Sequence, residues 1–351
     1  MADVHVCALA ARTPVGLVAE TAAAALRAGL AALTEHPTLI DPLGEPITGG
    51  FDPCLDPDLR GRYRMLELAR PPLTRLLTKL SGDQAVLDSV TVLLALPEPR
   101  PGWSTDDIQK LTHSLAQLKH PGCGDLAVRS FAEGHAGGLR YLGEAADALA
   151  KGTMDLCIVG GVDSYLETAT LGWLHANGLL GQTVRAGLVP GESAAFVALA
   201  SARALRALGL SSLATLSAWS SVHEPPSLDP RQQGLALTSV IRATLDALPE
   251  PRSIDDIYCD MNGQRQRSEE WGFCVLRAPP RFRDPTAYTA VVDQIGDVGA
   301  ATGPLLAVLA ARAWARGYAR GPDALLWGSS FGGTRAALIM RGPESLGVPH
   351  G

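Results

Sequence analysis

A weak internal duplication constrains the fold of this chain more than any other feature of its sequence. In the first half, Gly134-His135-Ala136-Gly137-Gly138 opens a helix predicted over about 136–150, and an Asp-led apolar strand that ends in glycine follows. In the second half, Gly296-Asp297-Val298-Gly299-Ala300 opens a helix predicted over about 302–316, again followed by such a strand. Short apolar strands that alternate with helices predict sheets covered on both faces. Two related halves therefore predict stacked sheets with helices between them.

The other predicted elements fit one α/β domain over residues 1–351, with an N-terminal half over 1–200 and a C-terminal half over 201–351. The segment 36–62 is rich in Pro, Gly and Asp and is expected to be irregular. Further helices are predicted at about 20–34, 64–80, 105–119 and 231–247, and further strands at 4–9, 89–96, 254–260 and 288–292. No GxGxxG motif follows the first strand, which argues against an ordinary doubly wound dinucleotide-binding sheet.

Composition excludes several classes of function. The chain has 351 residues, 46% of them hydrophobic and only 19% charged, which is typical of a protein with a large core. Its net charge of −6 and the lack of a basic tail argue against a nucleic-acid partner. No apolar run reaches the ~18 residues of a membrane span, and no signal-peptide pattern is present, so a cytoplasmic protein without a membrane partner is expected. Six cysteines without CxxC pairing predict reduced thiols, and no cofactor is implied.

Four segments of the sequence resemble the β-ketoacyl synthases of the thiolase superfamily, in the order and approximate spacing of that family. They are Arg12-Thr13-Pro14-Val15-Gly16, Gly134–Leu139 with Gly160–Ser164, Pro190-Gly191-Glu192-Ser193-Ala194-Ala195, and Ser330-Phe331-Gly332-Gly333-Thr334. The resemblance implies a thiolase-like five-layer αβαβα fold built from two pseudo-symmetric halves, and a homodimer. It also implies that an edge strand around 156–160 pairs across the two-fold axis.

The catalytic positions of that family are occupied by other residue types in this chain. The position of the family's cysteine falls on His135, and those of its two histidines fall on Asn262 and Asp297. Condensation needs an acyl-thioester on the enzyme, whereas imidazole forms only a labile acyl adduct. An ionised Asp297 would repel the developing enolate, and loss of one such donor costs about 2.7–4 kcal/mol. The sequence therefore predicts that this protein is not a competent ketosynthase.

Two interpretations of these replacements remain open. In one, the protein is a pseudoenzyme, a degenerate synthase homologue that serves as a structural, adaptor or partner subunit, and a His135–Asp297 pair fills the former site. In the other, it is an acyltransferase or hydrolase that acts on an acyl-thioester. His135 would then be the general base, held by Asp297, with Asn262 orienting the carbonyl.

Several further residues are candidates for binding. The resemblance makes Phe331 a gate residue, followed by Gly332 and Gly333 of the closing loop. A polar segment after Asn262 is expected to be a loop, either solvated or closing over the pocket. In the second case, Arg265 or Arg267 would bind an anionic group of the substrate.

Three other features have weaker functional interpretations. The basic stretch Arg60, Arg62 and Arg64 is either a docking site for an acidic acyl carrier protein or a solvated helix start. His113 and His120 are seven residues apart on one predicted helix, and no third ligand is evident, so no metal site is expected. Cys123 is expected to be an inert loop cysteine.

Overall fold

The computed structural model describes residues 4–82, 87–225, 232–278 and 281–343. Within these ranges the chain forms twelve strands and ten α-helices. The strands are β1 (Val4–Arg12), β2 (Leu33–Ile40), β3 (Pro46–Gly50), β4 (Leu87–Leu96), β5 (Cys123–Ala132), β6 (Leu156–Ser164), β7 (Glu192–Ser201), β8 (Ala214–His223), β9 (Asp256–Cys259), β10 (Tyr288–Thr289), β11 (Asp323–Ser329) and β12 (Thr334–Arg341). The helices are α1 (Ala19–Arg27), α2 (Gly61–Ser81), α3 (Thr105–Ala116), α4 (Gly134–Ala150), α5 (Thr168–Ala176), α6 (Ala202–Ala207), α7 (Leu235–Asp246), α8 (Arg265–Arg277), α9 (Val292–Ile295) and α10 (Thr302–Ala315).

Ten of the strands form two five-stranded groups with the same pattern of neighbours. The orders are β5-β4-β6-β7-β1 and β10-β9-β11-β12-β8. In each group the first three strands run parallel to one another. The fourth strand is antiparallel to the third, and the fifth is antiparallel to the fourth. A short antiparallel pairing of β1 with β8, at His5–Thr215 and Val6–Ala214, joins the groups into one hydrogen-bonded sheet. The sequence predicts separate stacked sheets, so this edge-to-edge link is a difference from the expectation.

The burial of each helix shows to which layer of the fold it belongs. α4 and α10 pack between the two strand groups, and almost every residue of α10 is buried. A helix that is apolar all round belongs in a core rather than at a surface. α2 and α3 cover the outer face of the first group, and α7 covers that of the second with α8 packed beside it. These layers confirm the predicted αβαβα fold class.

The two central helices approach each other through glycines. A Cβ atom at Gly138 of α4 would lie 2.3 Å from Cδ of Pro304, and one at Gly303 of α10 would lie 2.6 Å from the backbone nitrogen of Leu139. Real Cβ atoms do not come so close to other atoms, so a larger residue at either position would separate the helices. The glycines thus fix the distance between the starts of α4 and α10.

Two sequence expectations about strands are wrong. The segment 36–62 is not irregular throughout, because β2 and β3 form a separate two-stranded sheet. The strand at 156–160 is not an edge strand, because β6 lies between β4 and β7. The edge of the first group is instead β5, whose alternation of buried residues with exposed polar residues resembles a loop in the sequence.

Candidate functional site

The candidate site lies where the two central helices begin. α4 begins at Gly134, whose φ of +61° lies in the left-handed region that favours glycine, and His135 follows it. The N–H of Ala136 donates to Oγ of Ser330 at 2.9 Å, which satisfies one of the free amides at the helix start. These contacts fix the start of α4, and with it His135, against the loop that follows β11.

Asp297 lies at the second helix start and contacts His135. Nε2 of His135 is 2.8 Å from Oδ1 of Asp297, and the N–H of Gly299 donates to the same oxygen at 2.8 Å. The other carboxylate oxygen accepts a hydrogen bond of 2.6 Å from the side-chain amide of Asn262. His135, Asn262 and Asp297 are 2%, 3% and 4% exposed. The structure therefore brings the three residues together in one buried network.

The surroundings of Asp297 favour its ionised form. Burial alone would raise the pKa of its carboxyl group. The charges of His135 and Arg267, with the hydrogen bonds from His135 and Asn262, outweigh burial and hold the pKa of Asp297 well below its usual range. An ionised carboxylate at this point repels a negatively charged reaction intermediate.

The side-chain amide of Asn262 is occupied within the protein. Its nitrogen donates to Asp297 and, at 3.1 Å, to Oε1 of Gln264. Its oxygen accepts from the backbone N–H of Gln264 at 3.2 Å. Because both amide hydrogens have partners, orienting a substrate carbonyl would require Asn262 to break one of these bonds.

A small cavity of about 80 Å³ lies beside His135. Its wall includes His135, Phe331 and Trp173, but neither Asn262 nor Asp297. The ring of Phe331 stands nearly perpendicular to that of His135, with centroids 5.5 Å apart.

Glu98 is a member of this site that sequence reasoning missed. Both of its carboxylate oxygens accept from the N–H of Gly332 in the closing loop, at 2.9 and 3.1 Å. Burial raises the pKa of Glu98, and the bond from Gly332 and the charges of His135 and Arg100 offset this only in part. The neighbouring Gly333 has a φ of +104° and allows the loop to turn back. Gly332 thus binds a carboxylate of the protein itself.

Arg100 and Asp163 form a second buried ion pair near the cavity. Nη2 of Arg100 donates to Oδ1 of Asp163 at 2.6 Å, and Oδ2 of Asp163 accepts from the N–H of Ala300 at 3.0 Å. Asp163 therefore links β6 to the turn before α10. The sequence Pro97-Glu98-Pro99-Arg100 does indicate that Glu98 and Arg100 belong to a site. It places two charged residues directly after the buried parallel strand β4, at the strand end where functional residues often lie.

The expectation of a polar loop after Asn262 is wrong from residue 265 onward, because Arg265–Arg277 form α8. The side chain of Arg265 is 82% exposed and bonds to Glu269 at 2.6 Å, away from the cavity. Arg267 is buried, pairs with Asp260 and donates to the carbonyl of Ser329 at 2.6 Å. Helical periodicity sends Arg267 inward, and neither arginine lines the cavity.

The basic stretch at the start of α2 does not form a free positive surface. Arg64 is fully buried and pairs with Glu192, and Arg62 lies 3.2 Å from Asp107. Arg60 donates to Thr38 and to nearby backbone carbonyls. The structure therefore gives no support to docking of a carrier protein at these arginines.

The structure places the two histidines and the cysteine that the sequence singled out as follows. α3 ends at Ala116, so His113 and His120 do not share a helix as predicted, and His120 bonds to Oγ1 of Thr78 at 3.0 Å. Cys123 begins β5 rather than lying in a loop, and burial raises the pKa of its thiol. Among the residues that the structure describes, no group of three metal-ligating side chains occurs. Within the same residues, no helix is long and apolar enough to cross a membrane.

Comparison with known proteins defines the fold. No protein-family model matches the sequence, and no curated protein matches it. A structure of a type II PKS acyl-carrier protein in complex with its ketosynthase bound to the hexaketide (AntDE:AntF) has a TM-score of 0.78 and 17% identity, over 97% of this chain and 100% of that one. The ishigamide ketosynthase/chain length factor has a TM-score of 0.78 and 18% identity, over 97% and 99%. The ketosynthase from module 6 of the bacillaene synthase from Bacillus subtilis 168 has a TM-score of 0.75 and 14% identity, over 97% and 72%.

At these identities the likeness shows the fold alone. The chain therefore has the thiolase-like fold that ketosynthases and chain length factors share.

Proposed function

We propose that this protein is a ketosynthase-like subunit that does not condense acyl chains and that acts as a structural or adaptor partner of another chain. The observation that carries the proposal is the buried network of His135, Asn262 and Asp297. Its hydrogen bonds join these side chains to one another where a ketosynthase would need groups free to meet a substrate. An ionised Asp297 in that network opposes the charge that condensation develops.

The buried thiols and the residue at position 135 support the same proposal. Burial raises the pKa of Cys7, Cys157 and Cys274 to about 12, so these thiols stay protonated at neutral pH. Position 135, at the start of α4, carries an imidazole instead of a thiol. Histidine supports at most a short-lived acyl adduct, which water destroys.

The size of the cavity also favours a non-condensing role. Ligand pockets usually measure about 300–1,000 Å³, whereas the cavity beside His135 holds about 80 Å³. An acyl chain does not fit there unless Phe331 and its neighbours move. The amide of Gly332, in the closing loop, is occupied by Glu98.

One observation favours the second candidate function, acyl transfer or hydrolysis. Nε2 of His135 bonds to Asp297, while its Nδ1 has no partner among the described residues. A histidine held by a carboxylate, with its other nitrogen unpartnered, is the arrangement of a general base. This candidate requires a substrate small enough for the cavity, such as an acetyl thioester.

A direct assay separates the two candidates. We expect no turnover of acetyl, malonyl or longer acyl-thioesters, and no covalent acyl adduct by intact-protein mass spectrometry, because the site offers neither a thiolate nor space. His135→Ala should therefore change nothing. The matched control is His113→Ala, at an exposed histidine of α3 that does not line the cavity. Turnover by the wild type that His135→Ala abolishes and His113→Ala preserves would establish the acyltransferase candidate instead.

The open edge of β5 favours pairing with a second copy of the chain. β5 has ten residues and, within the described structure, pairs only with β4, whereas the opposite edge strand β10 has two. A long unpaired edge is a template for another strand, and a two-fold axis makes it pair with itself. We therefore place a homodimer contact along β5, in accord with the resemblance, although on a different strand from the one expected.

Ala127→Glu is expected to convert a dimer into a monomer. Ala127 is exposed on β5, so the substitution places like charges near each other across the two-fold axis. Sedimentation velocity at several concentrations measures the result. Ala207→Glu, at an exposed alanine of α6, is the control and should remain dimeric. A wild type that is monomeric throughout, or an Ala127→Glu variant that stays dimeric, would contradict the β5 contact.

A further inference from the structure

We propose that a second pocket, between α1 and the end of α10, binds a phosphate-bearing small molecule. The pocket has a volume of about 450 Å³, within the usual range for small-molecule sites. Its polar wall is formed by Arg27, Arg312, Arg316, Tyr318 and Glu20. A 14-residue helix is about 20 Å long, so α10 separates this pocket from the network at its other end.

The charges around the pocket favour an anion. Three guanidinium groups face one carboxylate in a protein whose net charge is −6. The carboxylate of Glu20 is shared, since Nζ of Lys79 lies 3.2 Å from it and Nη1 of Arg312 lies 3.8 Å from it. Among the described residues, no carboxylate lies within 4.0 Å of the guanidinium of Arg27 or Arg316. Glu20 therefore neutralises the positive charge of the pocket only in part.

Two of the arginines are held in place. The guanidinium of Arg27 stacks over the ring of Tyr318, 4.0 Å from its centroid. The side chain of Arg312 is 16% exposed, and its buried Nε has no hydrogen-bond partner among the described residues. Arg27 and Arg312 both line the pocket, and guanidinium groups match phosphate oxygens in geometry.

The partial negative charges at the C-terminal ends of α1 and α10 oppose anion binding, but they are weaker than the charges of the arginines. Arg27 and Arg312 lie in the last turns of α1 and α10, where each helix carries about half a negative charge. Three arginines and one glutamate leave two positive charges, which exceed the two partial negative charges of about one half each. The remaining wall includes Ala23, Ala24 and Ala28, which leave uncharged space for an organic group. The pocket is therefore larger than a free phosphate needs.

Calorimetric titration with pyrophosphate tests the proposal. The wild type should bind pyrophosphate saturably in 150 mM NaCl, and Arg27→Ala/Arg316→Ala should weaken binding about tenfold or more, because it removes two charged donors. Arg203→Ala, at an arginine that is 75% exposed on α6, is the control and should change the affinity less than twofold.

Three results would overturn the proposal. They are no saturable binding to the wild type, an equal loss of affinity in Arg203→Ala, and binding of citrate as tight as that of pyrophosphate. The first two would mean that the arginines only stabilise helix ends or attract anions non-specifically, and the third would assign carboxylates instead of phosphates. None of these variants touches His135 or Asp297, so failure here leaves the proposed function standing.

Discussion

Replacing Arg64 with methionine is expected to lower the free energy of unfolding by about 3–5 kcal/mol, because it leaves Glu192 buried without its charged partner. Nε and Nη2 of Arg64 lie 2.6 and 2.7 Å from the two carboxylate oxygens of Glu192, and the two side chains are 1% and 0% exposed. Glu192 also accepts from the N–H of Asp52 and the hydroxyl of Ser164. The pair thus joins α2, β6 and β7 through one carboxylate.

Urea unfolding measures this effect, and the chain offers a matched control. Arg62→Met makes the same change two residues away, where Arg62 pairs with Asp107 near the surface, and should have little effect. The double variant Arg64→Met/Glu192→Leu should recover much of the loss, since an apolar pair often replaces a buried ion pair without cost. An Arg64→Met variant as stable as Arg62→Met would show that the buried pair does not stabilise the fold.

Asp297→Asn is expected to destabilise the protein by about 2–4 kcal/mol at pH 7, since it replaces a charged acceptor of three hydrogen bonds with an amide. The effect should depend on pH. The pKa of Asp297 lies below the value of about 3.9 for an unfolded aspartate. A lowered pKa contributes stability that is present above the unfolded value and is lost as pH falls through the folded value.

The difference in stability between the wild type and Asp297→Asn should therefore persist at pH 5 and shrink below about pH 4. Denaturant unfolding at pH 7, 5, 4 and 3 measures it. Asp246→Asn, at a carboxylate that is 74% exposed on α7, is the control and should show no comparable difference. A difference that is unchanged down to pH 3 would mean that the network does not depend on an ionised Asp297.

The glycine-rich motifs before residues 136 and 302 predict much of the fold, since each marks the start of a buried helix. The polar residues around these starts indicate where a site would lie, but not what surrounds it. Glu98 and Arg100 reach the site from another loop, and no local pattern states which loop covers which helix end. α8 was missed because its many charges hide the helical period that sends Arg267 and Trp271 inward.

The close packing of Gly138 against Pro304 has a consequence for how this architecture changes over time. The contacts of Gly138 with the Pro304 ring and of Gly303 with the backbone of Leu139 set the spacing of the two helix tips. Residues at the tips can therefore be exchanged while the scaffold keeps its shape. A protein built this way can change the chemistry at its helix tips without changing its outer surfaces.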